Sequence, residues 1–201
     1  MESMRAVSKS GRTMAELLAY HRFSLESYEA MIEHGILTRD DKVELIAGEI
    51  VEMSPIGSHH SATVSLIAQT IGRVLGDRSN VRTQQAIALP PDSEPEPDVA
   101  VVRSRKDHYW EAHPRPADIM LVIEVADTSL TVDRFVKLPI YAAAGIPESW
   151  IVDLTNSVIE VYREPRQDAY STKTVLRRGD RIAPITFPDV SIEVNSLFPN
   201  A

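Results

Sequence analysis

Apolar positions along the chain recur at helical spacing in some stretches and form short continuous runs in others. From Ser24, an N-capping residue type, Leu25, Tyr28, Met31 and Ile32 repeat at helical spacing until Gly35 ends the run. Val43 to Ile46 and Ile50 to Met53 read as strands joined by a tight Ala47-Gly48 hairpin. After Pro55 and Gly57, Ser58 is placed to cap a helix carrying the stripe Val64, Ile67, Ala68, Ile71 and Leu75. Strand patterns follow at Val81 to Leu89, closed by Pro90-Pro91, then at Val99 to Val102 and Ile119 to Val125. The last two are apolar on both faces, as strands in the centre of a covered sheet are. A helix is predicted from about Thr131 to Ala144, with Pro139 expected to kink or break it and Gly145 ending it. Trp150 to Leu154 and Val158 to Tyr162 predict a second hairpin, and weaker strands at Thr172 to Leu176 and Val190 to Val194 close the chain. The order points to an α/β (α+β) domain with a central sheet. Residues 1–22 show no apolar period and read as a tail or arm, leaving 23–201 as a single domain.

Composition changes this picture little. A chain of 201 residues, 43% hydrophobic and 25% charged, is that of an ordinary globular protein. It has no cysteine, which excludes disulfides and thiolate metal sites. No apolar run could cross a bilayer, and the polar N-terminus lacks a signal-peptide pattern, so a cytoplasmic protein is expected. The net charge of -8 argues against an extended phosphate-binding surface. Arg163 to Arg181, with six basic residues against three acidic ones, is the stretch that could still form a local basic face or a solvated strand.

The candidate chemistry lies where charge interrupts apolar strands. Glu124 falls on the same strand face as Met120 and Val122, so its carboxylate is expected at or near a buried site. Burial demands compensation by a basic partner, a hydrogen-bond network or a cation. Asp98 opens the strand Val99 to Val102, which by itself is a common way into a strand. If the two strands are neighbours, both carboxylates can converge on one hard divalent cation such as Mg²⁺. On the following helix Asp133, Lys137 and Tyr141 share a face; Lys137 either points back to the carboxylates or pairs with Asp133 at the surface. Glu44 either faces solvent or adds a third carboxylate. His60 either contacts phosphate or caps a turn. Gln84 is a polar contact candidate on the strand before Asp98. With His60 and Gln84, Tyr141 completes the candidate substrate contacts.

Pro97-Asp98 followed by Glu124-Val125 resembles the PD-(D/E)XK nuclease superfamily. The segments Val43 to Pro55 and Asp133 to Trp150 look like the Uma family of restriction-endonuclease-like bacterial proteins. The resemblance runs from about Phe23 to Tyr162. It implies a restriction-endonuclease-like central mixed sheet flanked by helices, and Mg²⁺- or Mn²⁺-dependent cleavage of DNA. It also implies Asp98 and Glu124 as metal ligands, joined by the Val125 carbonyl and Glu44, with His60 as the upstream histidine. The superfamily lysine two residues beyond the glutamate is Ala126 here, and Lys137 inherits its role. A homodimer is expected because cutting both strands is most simply done by two symmetric copies. The competing reading is a non-catalytic nucleic-acid-binding or assembly protein that keeps the fold.

Overall fold

The computed structural model describes residues 20–38 and 40–199. Most of the tail expected over residues 1–22 lies outside them. Helix α1, Leu25–Glu33, starts where Ser24 accepts a hydrogen bond from the Ser27 N–H. Strands β1, Val43–Ile46, and β2, Glu49–Glu52, form an antiparallel hairpin. Its turn needs positive φ at both central residues, and Ala47 and Gly48 have 48° and 80°. Gly48 is also held by its surroundings, because a Cβ there would lie 2.7 Å from Cβ of Arg22.

Helix α2 is Ser58–Leu75, with Gly57 rather than Ser58 at the N-cap. Six strands form the main sheet in the order β3-β4-β5-β6-β7-β8. They are β3 (Ser79–Thr83), β4 (Val99–Arg103), β5 (Ile119–Ala126), β6 (Glu148–Asp153), β7 (Val158–Arg166) and β8 (Ala169–Arg177). Only β5 and β6 pair in parallel, and the connection between them is helical, which makes the sheet mixed. Short strands β9 (Arg181–Ile182) and β10 (Ile192–Glu193) make a small separate ladder.

The connection is helix α3, built of Leu130–Val132, a π-helical stretch Asp133–Lys137 and Leu138–Ala143. The break expected at Pro139 does not occur. Its missing N–H and its ring are accommodated next to the π-stretch, where i→i+5 bonding has already loosened the regular ladder. Strand β3 is shorter than the apolar pattern predicts. It ends at Thr83 because Gln84 takes φ 50° and turns its N–H to the carbonyls of Pro97 and Asp98.

Both faces of the sheet are covered. Val64, Ile67, Ile71 and Leu75 of α2 pack with Val99, Val101, Ile123 and Val125, and the C-terminal Leu197 and Phe198 join them. The opposite face packs Ala100, Val102 and Val122 against Tyr141 and Ile146 from α3 and its exit. Every residue of β5 is buried. Its Ile, Leu, Met and Val side chains each contribute about 1.5–3 kcal/mol of hydrophobic stabilisation, so the central strands form a rigid base. No described helix is long and apolar enough to cross a membrane.

Candidate active site

The register of the sheet creates the site. Val99 stands opposite Ile123 in the antiparallel β4–β5 pair, so Asp98, one residue before β4, falls opposite Glu124. The Asp98 N–H donates to Glu124 Oε2 at 3.3 Å, and the Val125 N–H donates to Asp98 Oδ2 at 2.9 Å. Glu124 projects to the face covered by α3. There the Tyr141 hydroxyl donates to its Oε1 at 2.5 Å, and Lys137 Nζ lies 3.6 Å from the same oxygen. The π-helical stretch ends at Lys137, so the ammonium enters the site from the turn where the helix is widened.

Glu44 approaches from β1. Its Oε2 lies 3.6 Å from Lys137 Nζ and accepts the Glu96 N–H at 3.1 Å. His60, from the first turn of α2, places Nε2 2.7 Å from Asp98 Oδ1. Five of the expected residues, Asp98, Glu124, Lys137, Glu44 and His60, therefore meet in one cluster drawn from separate elements. The side chains of Glu124, Glu44, Lys137 and Asp98 are 5%, 9%, 12% and 13% exposed. Glu44 does not face solvent, and Lys137 is no surface residue.

The other expected contacts sit differently. Tyr141, read from the sequence as a substrate contact, is 0% exposed and reaches only inward, to Glu124. Its hydroxyl fixes one oxygen of the carboxylate. Val125 contributes its N–H to Asp98. Gln84 joins the site through its main chain, and its side chain lines an adjoining cavity with Glu94 and Glu96. Asp133 was expected only as a partner for Lys137 at the surface. It is buried, accepts the Ser129 hydroxyl at 2.7 Å, and adds negative charge to the cluster. Its spacing from Lys137 was visible in the sequence; its burial was not.

Electrostatically the cluster carries more carboxylate than cation. Burial, with the charges of Asp98 and Asp133, pushes the Glu124 carboxyl up to about 8, although Lys137 pulls it down. Burial opposes the Lys137 charge, but Glu124, Glu44, Asp133 and Asp98 together outweigh it and raise the ammonium. The bond to Asp98 raises His60, with burial working against it. Among the described residues no three His, Asp or Glu side chains form a ready metal cage. The donor set nonetheless fits Mg²⁺, which needs one or two carboxylates and otherwise keeps water and substrate oxygens. An excess of desolvated carboxylate facing a single lysine is the environment such a cation would relieve.

Of the six basic residues over Arg163 to Arg181, three are taken up in ion pairs. Arg163 pairs with Glu148, Lys173 with Glu160 and Arg181 with Glu193.

A family model described as "Uma2: Putative restriction endonuclease" matches residues 25–195, nearly the whole chain. The chain belongs to the Uma2 family. The Uma2 match covers the β1–β2 hairpin, α2 and α3 together, and so spans every element that supplies the cluster. A crystal structure from Anabaena variabilis, described as a putative nuclease belonging to DUF820, superimposes with TM-score 0.69 at 16% identity. The superposition covers 88% of this Uma2 chain and 97% of that one, so the two share the fold over almost their full lengths. No curated protein matches the chain.

Proposed function

We propose that this Uma2-family protein is a nuclease that hydrolyses DNA phosphodiester bonds with Mg²⁺ or Mn²⁺, using a PD-(D/E)XK-type site. The observation that carries this reading is the meeting of Asp98, Glu124 and Lys137 in one buried cluster. Asp98 and Glu124 would hold the cation, with the Val125 carbonyl and Glu44 beside them. When bound, the cation supplies positive charge against the phosphodiester and acidifies a water.

The chain's own groups divide the remaining work. Lys137 keeps its proton because carboxylates surround it, so it acts as a fixed positive charge and hydrogen-bond donor, not as a base. It stands where it can orient the attacking water and stabilise charge growing on the phosphate. Tyr141 and the Asp98 N–H fix the two oxygens of Glu124. His60 and the Val125 N–H do the same for Asp98. Such preorganisation of both carboxylates spares reorganisation during the reaction. A homodimer with DNA as its partner, acting in the cytoplasm, belongs to the same proposal, as does the division into an arm over 1–22 and one domain over 23–201.

The test is cleavage of supercoiled plasmid and of single-stranded DNA with Mg²⁺ or Mn²⁺. Wild type is compared with Asp98→Ala, Glu124→Ala and Lys137→Ala. Metal-dependent nicking, lost in all three, is expected. Loss in the carboxylate variants alone would remove Lys137 from the mechanism.

A second reading, a non-catalytic DNA-binding or assembly protein, draws support from two observations. All four carboxylate oxygens of Asp98 and Glu124 already accept protein hydrogen bonds, and the net charge is -8. DNA binding without cleavage on either substrate would favour it.

A further inference from the structure

Beside the carboxylate cluster lies a cavity of about 750 Å³, framed by Tyr28 and Leu37 on one side and by Gln84, Glu94 and Glu96 on the other. A second cavity of about 500 Å³, walled by Trp110 and Arg115, shares Arg82 and His113 with the first, so the two make one trough. The trough touches the cluster at two points. The Glu96 N–H bonds Glu44, and the Gln84 N–H reaches the carbonyls of Pro97 and Asp98.

Two buried polar atoms on this trough have no hydrogen-bond partner among the described residues: Oε2 of Glu94 and Nε of Arg82. Glu94 is only 5% exposed. A buried carboxylate oxygen without a donor is costly. Its surroundings make the cost larger, since burial, Glu29 and Glu96 push this carboxyl up to about 7. What satisfies Glu94 must bring a hydrogen-bond donor. Glu94 and Glu96 on this wall also repel phosphate, which disfavours a backbone group at this end.

The far end of the trough is mixed in charge, with Arg82 and Arg115 beside Glu29 and Glu111. Trp110 is 86% exposed, and the guanidinium groups of Arg82 and Arg105 lie 5.7 Å and 4.6 Å from the Tyr109 ring centroid. Tyr109 itself is buried and Arg105 is paired with Asp107, so the groups left to meet a strand at this end are the exposed Trp110 ring, which can stack on a base, and Arg82.

We propose that the cavity lodges an unpaired nucleobase bearing an exocyclic amino group, which donates to Glu94 Oε2 while Arg82 and Trp110 hold the neighbouring nucleotides of the same strand. This rests on the nuclease reading of the adjoining cluster and gives it a substrate: a single-stranded or locally opened nucleic acid. Cytosine, adenine and guanine carry such an amino group. Thymine presents a carbonyl oxygen where cytosine has its amino group, and would meet the carboxylate oxygen to oxygen.

The test is fluorescence anisotropy of labelled oligo-dC and oligo-dT at mildly alkaline pH without divalent metal, so that binding is read apart from cleavage. Wild type is expected to bind oligo-dC about tenfold more tightly than oligo-dT, the order of discrimination of one good base contact. Glu94→Leu is expected to bring the two within about twofold without weakening oligo-dT, whereas Arg82→Gln weakens both alike. Glu94→Gln, closer in shape, repeats the measurement should the leucine variant melt early. Free dCMP is expected to compete far less well than the strand. Equal affinities in wild type, a preference that survives Glu94→Leu, competition by dCMP as strong as by the strand, or no binding of either oligonucleotide would overturn the proposal. Plasmid cleavage without a base preference would remove the base pocket and keep the nuclease. A preference without cleavage would do the reverse.

Discussion

Replacing Lys137 with methionine removes the ammonium that faces Glu44 and Glu124 and keeps the volume of its stem. Nζ stands 3.6 Å from oxygens of both Glu44 and Glu124. At an effective dielectric constant of about 20, each contact is worth about 5 kcal/mol of gross attraction. Desolvation of the ammonium offsets several kcal/mol of that, and breaking a buried pair costs about 3–5 kcal/mol net because charge is left uncompensated. The loss depends on pH in a definite direction. Glu124 has a folded value of about 8 against 4.5 when unfolded, so it destabilises the fold increasingly as pH rises between those values. In wild type this penalty stops growing above about 8, where the ionised carboxylate meets Lys137. In the methionine variant it continues to grow, because the group that pulled Glu124 down is gone. Lys137 itself has a raised folded value, so its stabilising effect is complete below the ordinary lysine value of 10.5. The full loss is therefore expected above about pH 8, and a smaller one, from the Glu44 contact, at neutral pH. For a chain of this size it corresponds to a fall of about 6–20 °C in Tm, shrinking in acid. Thermal unfolding followed by circular dichroism across this pH range reads it directly, and added Mg²⁺ should recover part of the loss. A variant that melts with wild type at every pH would refute the ion-pair account of the site.

Further outcomes follow from other parts of the molecule. Tyr141→Phe deletes the hydroxyl that holds Glu124 Oε1, and nuclease kcat should fall about ten- to a hundredfold with KM little changed, the scale of one hydrogen bond to a charged group; a KM effect alone would place Tyr141 outside this role. Burial opposes ionisation of Glu160, but bonds from Arg134, Lys173 and Tyr162 outweigh it and hold the carboxyl down at about 2. Its contribution is thus present above the unfolded value of 4.5 and lost as pH falls toward 2, and urea unfolding of Glu160→Gln should show a cost of about 2 kcal/mol at neutral pH that vanishes in acid. Gly48→Ala should cost about 1–3 kcal/mol in chemical denaturation, since φ is 80° and the new methyl would meet Arg22. Ile123→Ala, at 0% exposure between α2 and the sheet, should cost about 2–5 kcal/mol by the same measurement.

The meeting of Asp98 with Glu124 was legible in the sequence because strand periodicity and burial are local signals. Two apolar strands each carried one charge, and antiparallel pairing brought them opposite one another. Lys137 was legible through its helical phase with Asp133 and Tyr141, and the family resemblance gave it a destination. The inward role of Tyr141 was not legible, since a tyrosine on that face can point to solvent or to a carboxylate, and the packing of α3 decides which. The early end of β3 was hidden because glutamine rarely announces a positive φ, and the bonds that hold Gln84 come from Pro97 and Asp98, far along the chain. Glu94 was missed for a related reason. It follows an irregular segment with no period, and only its main-chain bond to Leu45 places it beside Tyr28 and the cavity. Basic charge left its destination open in the sequence: in the stretch from Arg163 onward, Arg163, Lys173 and Arg181 pair with Glu148, Glu160 and Glu193 across neighbouring strands, which no local pattern signals.

The π-helical stretch at Asp133–Lys137 sets the angular phase of α3. Such a stretch amounts to one residue inserted into a regular helix, and each residue of an α-helix advances about 100° around its axis. The widened turn absorbs that residue, so the segments before and after it keep the phase of an unbroken helix. If the stretch closed into a regular α form with every residue retained, the residues before it would turn by about 100° relative to Tyr141 and the rest of the packed C-terminal half. Asp133 and Ser129 would swing out of the cluster while Tyr141 stayed in contact with Glu124, whereas deleting one residue of the stretch should leave both ends of α3 aimed at the same site.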